Sequence, residues 1–422
     1  MRPTRVRYVV LAGLCGAAAL AYFVRNGVAS AESTIRTSLG VTKDESGLMM
    51  SAFFLPYALC QIPAAMFAQR IGARRALPLY GVLWSLATAG MALGSLGMMI
   101  GSRAFMGVAQ AGLVPVGVSV MSRWFPRTTQ ASASGAFSGL MSVGSIAAAP
   151  LTAWLAVKCG WQWMFVLYAL PGLLWAAWFA RWHREAPSEH PSVNSTEAAL
   201  IEEHAPPAAG SSAAIPWRLL LTSPALAFLC AQQFFRAAGY IFFASWFATY
   251  LQEARHVTII GSGWLTTLPL FADVTGCMAG GVFSDAVLRR TGNAKLARQG
   301  LCVIALLLCA VLIFVAWRVA DPTLAVLVIS AGMFCAAIAN PCLGAVAIST
   351  GGTHAATAIA AVNMCGNFGA ALFPIAVPWL LKITGNWDAV LIGFATLYVG
   401  AAAAWWMLKT DRSVIEQSAT SR

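Results

Sequence analysis

Long apolar runs separated by short polar ones dominate this chain from one end to the other. An α-helix needs about 20 apolar residues, at about 1.5 Å rise each, to cross a bilayer. Twelve such segments can be drawn, near 8–34, 46–68, 76–95, 97–122, 131–156, 161–181, 223–251, 260–284, 298–317, 322–349, 355–381 and 387–408. No soluble core could bury that many continuous apolar helices. Only 10% of the residues are charged, against roughly a quarter in soluble domains. The expected class is an all-α membrane protein of twelve transmembrane helices, with the lipid bilayer as its first partner.

The net charge of +12 could suggest a nucleic-acid partner. Placement argues otherwise. With the N-terminus in the cytoplasm, cytoplasmic segments hold eighteen of the 27 Lys and Arg, including Arg2, Arg5, Arg7, Arg70, Arg74, Arg75, Arg218, Arg289, Arg290, Lys409, Arg412 and Arg422. External segments hold six: Arg36, Lys43, Lys158, Arg255, Arg318 and Lys382. This is the positive-inside bias, and it puts both termini in the cytoplasm. No nucleic-acid partner is expected. The first segment has a basic start and a small-residue stretch at Val28–Ala31, as a signal peptide would. Arg25 interrupts it and eleven further spans follow, so cleavage is not expected. Most of the ten cysteines fall inside apolar segments without metal spacing, and read as small packing residues.

The longest polar stretch, His183 to Arg218, is rich in Pro, Ser, Ala and Glu and reads as a cytoplasmic linker. It divides the chain into 1–182, an N-terminal six-helix bundle, and 219–422, a C-terminal one. Similar stretches recur at corresponding places: Ala65-Met66-Phe67-Ala68-Gln69-Arg70-Ile71-Gly72-Ala73-Arg74-Arg75 after the second segment, and Gly281-Val282-Phe283-Ser284-Asp285 with Arg289, Arg290 and Gly292 after the eighth. Both resemble the G-x-L-A-D-R-x-G-R-R loop of the major facilitator superfamily. The resemblance implies two pseudo-symmetric six-helix bundles with a substrate site between them. It also implies gating roles for Arg70, Arg74, Asp285 and Arg289. The first copy departs, with Ala65 for Gly and Gln69 for Asp.

Further motifs are similar to those of the anion:cation symporter family, which includes sugar-acid and sialin-like carriers. They are Tyr22-Phe23-Val24-Arg25, Phe53-Phe54-Leu55-Pro56-Tyr57, Arg103-x-x-x-Gly107-x-x-Gln110 with Pro115, Arg123-Trp124-Phe125-Pro126, and Asn363-x-x-x-Asn367-Phe368-Gly369 with Pro374. That family usually carries Asp where Val24 stands and Glu where Gln110 stands. Val24 and Gln110 look more like the organophosphate:phosphate exchangers.

Ionisable groups inside a membrane helix mark function by default. Four are present: Arg25, Arg103, Arg236 and Asp273. Three cations against one acid favour an organic anion, because the guanidinium fork matches carboxylate or phosphate. The resemblance assigns anion binding to Arg25. Tyr22 shares its helix face. Tyr57 and Gln61, Gln232 with Arg236 and Tyr240, and Asn363 with Asn367 form further polar stripes and join Arg103 and Gln110 as candidate substrate-binding residues. Asp273 is the candidate coupling residue, expected to pair with Arg236 across adjacent helices. Gly135 and Gly139, like Gly276 and Gly280, are expected to be close helix contacts. No histidine (His183, His190, His204, His256, His354) falls mid-helix, so no metal is expected, and no phosphate-binding loop, cofactor site or catalytic constellation is seen. The expected function is secondary transport of a small organic anion such as a sugar acid, by a monomer, with a coupled proton or cation. The alternatives are an organophosphate or anion exchanger, or a transporter-like receptor.

Overall fold

The computed structural model describes residues 3–202, 223–293, 295–351 and 355–408. Arg2, His204, Arg218, His354, Lys409, Arg412 and Arg422 lie outside them. The chain forms two compact units, Met1–Ser212 and Ala213–Arg422. Among the described residues, eleven helical segments are long and apolar enough to cross a membrane. The segment expected at 223–251 supplies the twelfth, broken into two helices.

The first unit runs through α1 (Val6–Ser30), α2 (Glu32–Leu39), α3 (Lys43–Ser51), α4 (Phe54–Ile71), α5 (Ala73–Gly90), α6 (Leu96–Gln110), α7 (Leu113–Trp124), α8 (Arg127–Cys159), α9 (Trp161–Trp182) and α10 (Ser195–Glu202). The second contains α11 (Pro224–Ile241), α12 (Phe247–Ala254), α13 (Ile259–Thr291), α14 (Leu301–Arg318), α15 (Pro322–Ala337), α16 (Ala339–Gly351), α17 (Ala355–Thr384) and α18 (Asp388–Met407).

Three spans expected to be continuous are interrupted in the same way. Helices α4, α7 and α16 each restart with proline as the third residue: Pro56, Pro115 and Pro341. The proline ring lacks an N–H and crowds the carbonyl four residues back, here Ala52, Ala111 and Ala337. The breaks fall at or next to those three residues. Proline alone does not decide the matter, because Pro150 and Pro269 ride inside α8 and α13. The break at 242–246 has no proline and is carried by hydrogen bonds reaching three residues back, Phe242 N–H to Gly239 O among them. The motif stretches read as loops are helical until a left-handed or open glycine ends them, Gly72 at φ 84° and Gly292 at φ 64°.

Each unit pairs its spans alike. In the first, α1 packs on α8, α4 on α6, and α5 on α9; in the second, α11 on α17, α13 on α15, and α14 on α18. Glycine makes the closest approaches. A Cβ on Gly144 would strike the Ala19 backbone, one on Gly369 the Phe234 backbone, and one on Gly107 the Phe53 backbone. Gly276 and Gly280 lie on the backbones of Phe334 and Ile338, as expected. Gly135 and Gly139 do not behave so: a Cβ at either meets nothing within 4 Å. Small size permits a close contact but does not aim the residue at a neighbour.

The expected linker is folded over its described first part. Helix α10 places Glu197 and Ile201 in the interior. Glu197 accepts hydrogen bonds from the Thr4 hydroxyl at 2.6 Å and from the main-chain N–H of Val6 at 3.2 Å and Arg7 at 3.3 Å. A carboxylate 190 residues away thus caps the first turn of α1, where free N–H groups favour negative charge. His183 and His190 are also buried, His183 stacked on Phe179 and His190 edge-on to Trp182. Burial, with His190 and two arginines (Arg74, Arg184) nearby, holds the His183 imidazole down to about 3.

Candidate functional site

In the first unit Arg25 projects from the last two turns of α1 and is only 8% exposed. Four aromatic rings surround its guanidinium: Phe53 at 4.2 Å, Tyr57 at 4.6 Å, Tyr22 at 5.1 Å and Phe54 at 5.3 Å from ring centroids. Helical spacing builds this box. Tyr22 stands one turn before Arg25, and Tyr57 one turn after Phe53, with which it stacks. Tyr57 also lies against Gln61. On the opposite face of α4, Leu55, Leu59 and Ile62 are exposed, as a lipid-facing surface requires. No ion pair to Arg25 is made among the described residues.

Arg103 and Gln110 stand behind this box. The Arg103 guanidinium, 3% exposed, donates to the main-chain oxygens of Arg25 at 2.7 Å and Met50 at 3.0 Å. Gln110 donates its amide to Ala21 O at 3.1 Å. Both grip the stretch of α1 that carries Arg25, through the two terminal guanidinium nitrogens and the amide nitrogen, while Arg103 Nε is buried without a partner among the described residues. Asn26, which the sequence reading passed over, bonds α1 to α8 through Ser145 Oγ at 2.9 Å. Its signal was available: a lone amide beside Arg25 in an apolar run.

In the second unit Asp273 lies within electrostatic reach of Arg236. The expected ion pair is not formed. Arg236 Nε donates to Gln233 Oε1 at 3.2 Å, while Asp273 Oδ1 is buried without a hydrogen-bond partner among the described residues. The reason is local: Gln233, one turn away on the same helix, reaches the guanidinium first. Gln232 turns into the bundle and bonds Leu229 O, so it does not join Arg236. Tyr240 lies near Tyr398 of α18. Asn367 bonds the Asn363 main chain on α17, and both amides share one face there.

A profile of the Major Facilitator Superfamily matches residues 14–320 and, again, 233–422. The chain belongs to this superfamily. It is 28% identical over 404 residues to the probable sulfoacetate transporter SauU of Cupriavidus necator, covering 95% of this chain and 93% of that one. It is 29% identical over 313 residues to a D-galactonate transporter of Escherichia coli O6:H1, covering 71% of each. Its fold is similar to the inward-open xylose transporter XylE from E. coli, with a TM-score of 0.74 at 13% identity over 98% of this chain and 99% of that one. The chain is therefore a multi-pass membrane transporter by family, not an enzyme.

In the major facilitator motif of the first unit, Gln69 removes the acid that the loop usually carries. Glu185, just past α9, stands in its place. Its carboxylate accepts from the Arg74 main-chain N–H at 2.7 Å and pairs with Arg123 at 3.3 Å. A Cβ on Gly72 would strike it. Glu185 escaped the sequence reading because it lies 111 residues from Arg74, whose main chain it holds. Arg70 is exposed, as are Asp285 and Arg289 of the second copy. Among the described residues no ion pair joins Asp285 to Arg289.

Proposed function

We propose that the chain is a secondary transporter that carries a small organic anion by alternating access, with Arg25 receiving the anionic group. The carrying observation is a buried guanidinium held by aromatic rings and not by an acid. Guanidinium stays protonated, and a buried charge is costly unless paired. Ring faces at about 6 Å or less offset part of that cost, by about 0.5–2 kcal/mol in such contacts, and leave the charge unneutralised. A carboxylate or sulfonate would complete it. The cargoes named for the two relatives, sulfoacetate and D-galactonate, are both such anions. Arg236 supplies a second cation in the other unit. Tyr22, Tyr57 and Gln61 beside Arg25 in the first unit, and Tyr240, Asn363 and Asn367 in the second, are the further polar groups assigned to substrate recognition. Arg103 and Gln110 position Arg25. The protein works as a monomer in the cell membrane (the inner membrane if bacterial) with both termini cytoplasmic.

Arg25→Lys tests this. The variant keeps the charge but loses the planar fork, so uptake of labelled D-galactonate or sulfoacetate into proteoliposomes should fall at least tenfold while the protein still inserts. Parental affinity in that variant would remove Arg25 from the site. A receptor, in contrast, would bind the anion and never accumulate it.

A further inference from the structure

With Val24 and Gln110 where related carriers have acids, α1 and α6 offer no carboxylate for coupling. Gln110 is in any case bonded to the backbone. The second unit offers one. Asp273 Oδ1 is a buried acceptor with no partner among the described residues, and so is Asn340 Oδ1 on α16. Cys277 stands between them: it lies one turn from Asp273 on α13, close to both the Asp273 carboxylate and the Asn340 side chain. An ionised carboxylate only accepts. Two unpartnered acceptors in hydrocarbon each carry the full cost of desolvation.

None of the surrounding described groups donates to Asp273 Oδ1. From α11 comes Arg236, whose Nε is engaged by Gln233. From α18 comes Tyr398, whose hydroxyl is given to Met333 Sδ at 3.3 Å. From α14 comes the Cys309 thiol, and from α13 itself Cys277. A metal ion would need several oxygen or nitrogen ligands, and no cluster of three His, Cys, Asp or Glu is present among the described residues. A proton suffices: it turns the Asp273 carboxylate into a neutral group able to donate.

We propose that Asp273 is a proton-binding site, occupied in this state, and that it couples proton to anion. The coupling half rests on the transport reading above; the proton site does not. The link is electrostatic. With Asp273 neutral, the charge of Arg236 is uncompensated and an approaching anion gains from it. With Asp273 ionised, the carboxylate competes for that charge. By linkage the anion, once bound, must favour the proton to the same extent. The site lies one turn from Gly276 and two from Gly280, where α13 meets the α15 backbone, so a change of charge acts beside the closest helix contact in the unit.

The test uses the purified full chain, parent and Asp273→Asn. In detergent at neutral pH, infrared spectra of the parent should show the carbonyl stretch of a protonated buried carboxyl, lost in the variant. The variant's melting temperature should match the parent's, because the amide is isosteric with the neutral acid. A parent without that band, or a variant with a markedly lower melting temperature, would overturn the proton site. In proteoliposomes, uptake of labelled D-galactonate and sulfoacetate is measured in counterflow and under an inward proton gradient. The ratio of gradient-driven to counterflow uptake should drop at least tenfold in Asp273→Asn. An unchanged ratio overturns the coupling. If the parent exchanges neither anion, the transport reading fails for these cargoes, and the infrared band still decides the proton site.

Discussion

Glu197→Ala is expected to unfasten the first turn of α1 without unfolding the bundle. Glu197 is fully buried and accepts three hydrogen bonds, from Thr4 Oγ, Val6 N and Arg7 N. Val6 is itself buried, so its N–H would be left without water or partner, a loss of about 1–3 kcal/mol. Removing the cap on the helix costs about 1 kcal/mol more. The sum, about 2–4 kcal/mol, corresponds to roughly 30- to 1000-fold faster opening at about 1.4 kcal/mol per tenfold. Hydrogen exchange resolved by peptide over residues 4–12 reads this directly. Glu197→Gln keeps the acceptor oxygen and loses the charge at the helix N-terminus, so it should lose only about 1 kcal/mol. Unchanged exchange in α1, or equal acceleration in every helix, would refute the assignment of a local cap.

Two further outcomes follow from the buried polar groups. Gln110→Glu replaces an amide donor to Ala21 O by a carboxyl that donates only when protonated. The variant's melting temperature should therefore fall as pH rises, whereas a flat profile would mean the bond to α1 is dispensable. His183, held down to about 3 by burial and its neighbours, contributes with the opposite sign. Between that value and the usual ~6.5, the unfolded chain takes up a proton that the folded chain refuses. Stability is thus complete above ~6.5 and falls on acidification, by about 2 kcal/mol at pH 5. His183→Phe should remove that part of the acid sensitivity, read as melting temperature against pH.

The spans were legible because hydrocarbon tolerates nothing else: run length and charge placement leave little freedom. Arg25 was legible for the same reason, since a guanidinium in such a run needs a purpose. Partners were not. Arg103 and Gln110 advertise polarity, but only the fold tells that their atoms meet main-chain carbonyls. Arg236 and Asp273 stand at matching depths by residue count, yet α11 packs on α17 and α13 on α15, and the guanidinium Nε goes to Gln233 one turn away. Glu185 and Glu197 were hidden inside a stretch whose composition reads as linker. Composition reports average solvation, and a single carboxylate placed against free N–H groups is invisible to it. Gly135 and Gly276 show the same limit, as identical residues with opposite surroundings.

The glycine contacts bear on how accurately the two cations are placed. Ala19, against Gly144, lies six residues before Arg25, and Phe234, against Gly369, lies two residues before Arg236. Each cation therefore sits on a helix gauged by bare backbone from the neighbouring helix, with no rotatable side chain in between. Side-chain contacts have slack, because a rotamer change absorbs an error; backbone contacts have almost none. The separation of α1 from α8, and of α11 from α17, works as a fixed spacer, and a single methyl group on Gly144 or Gly369 would reset the position of a charge that it never touches.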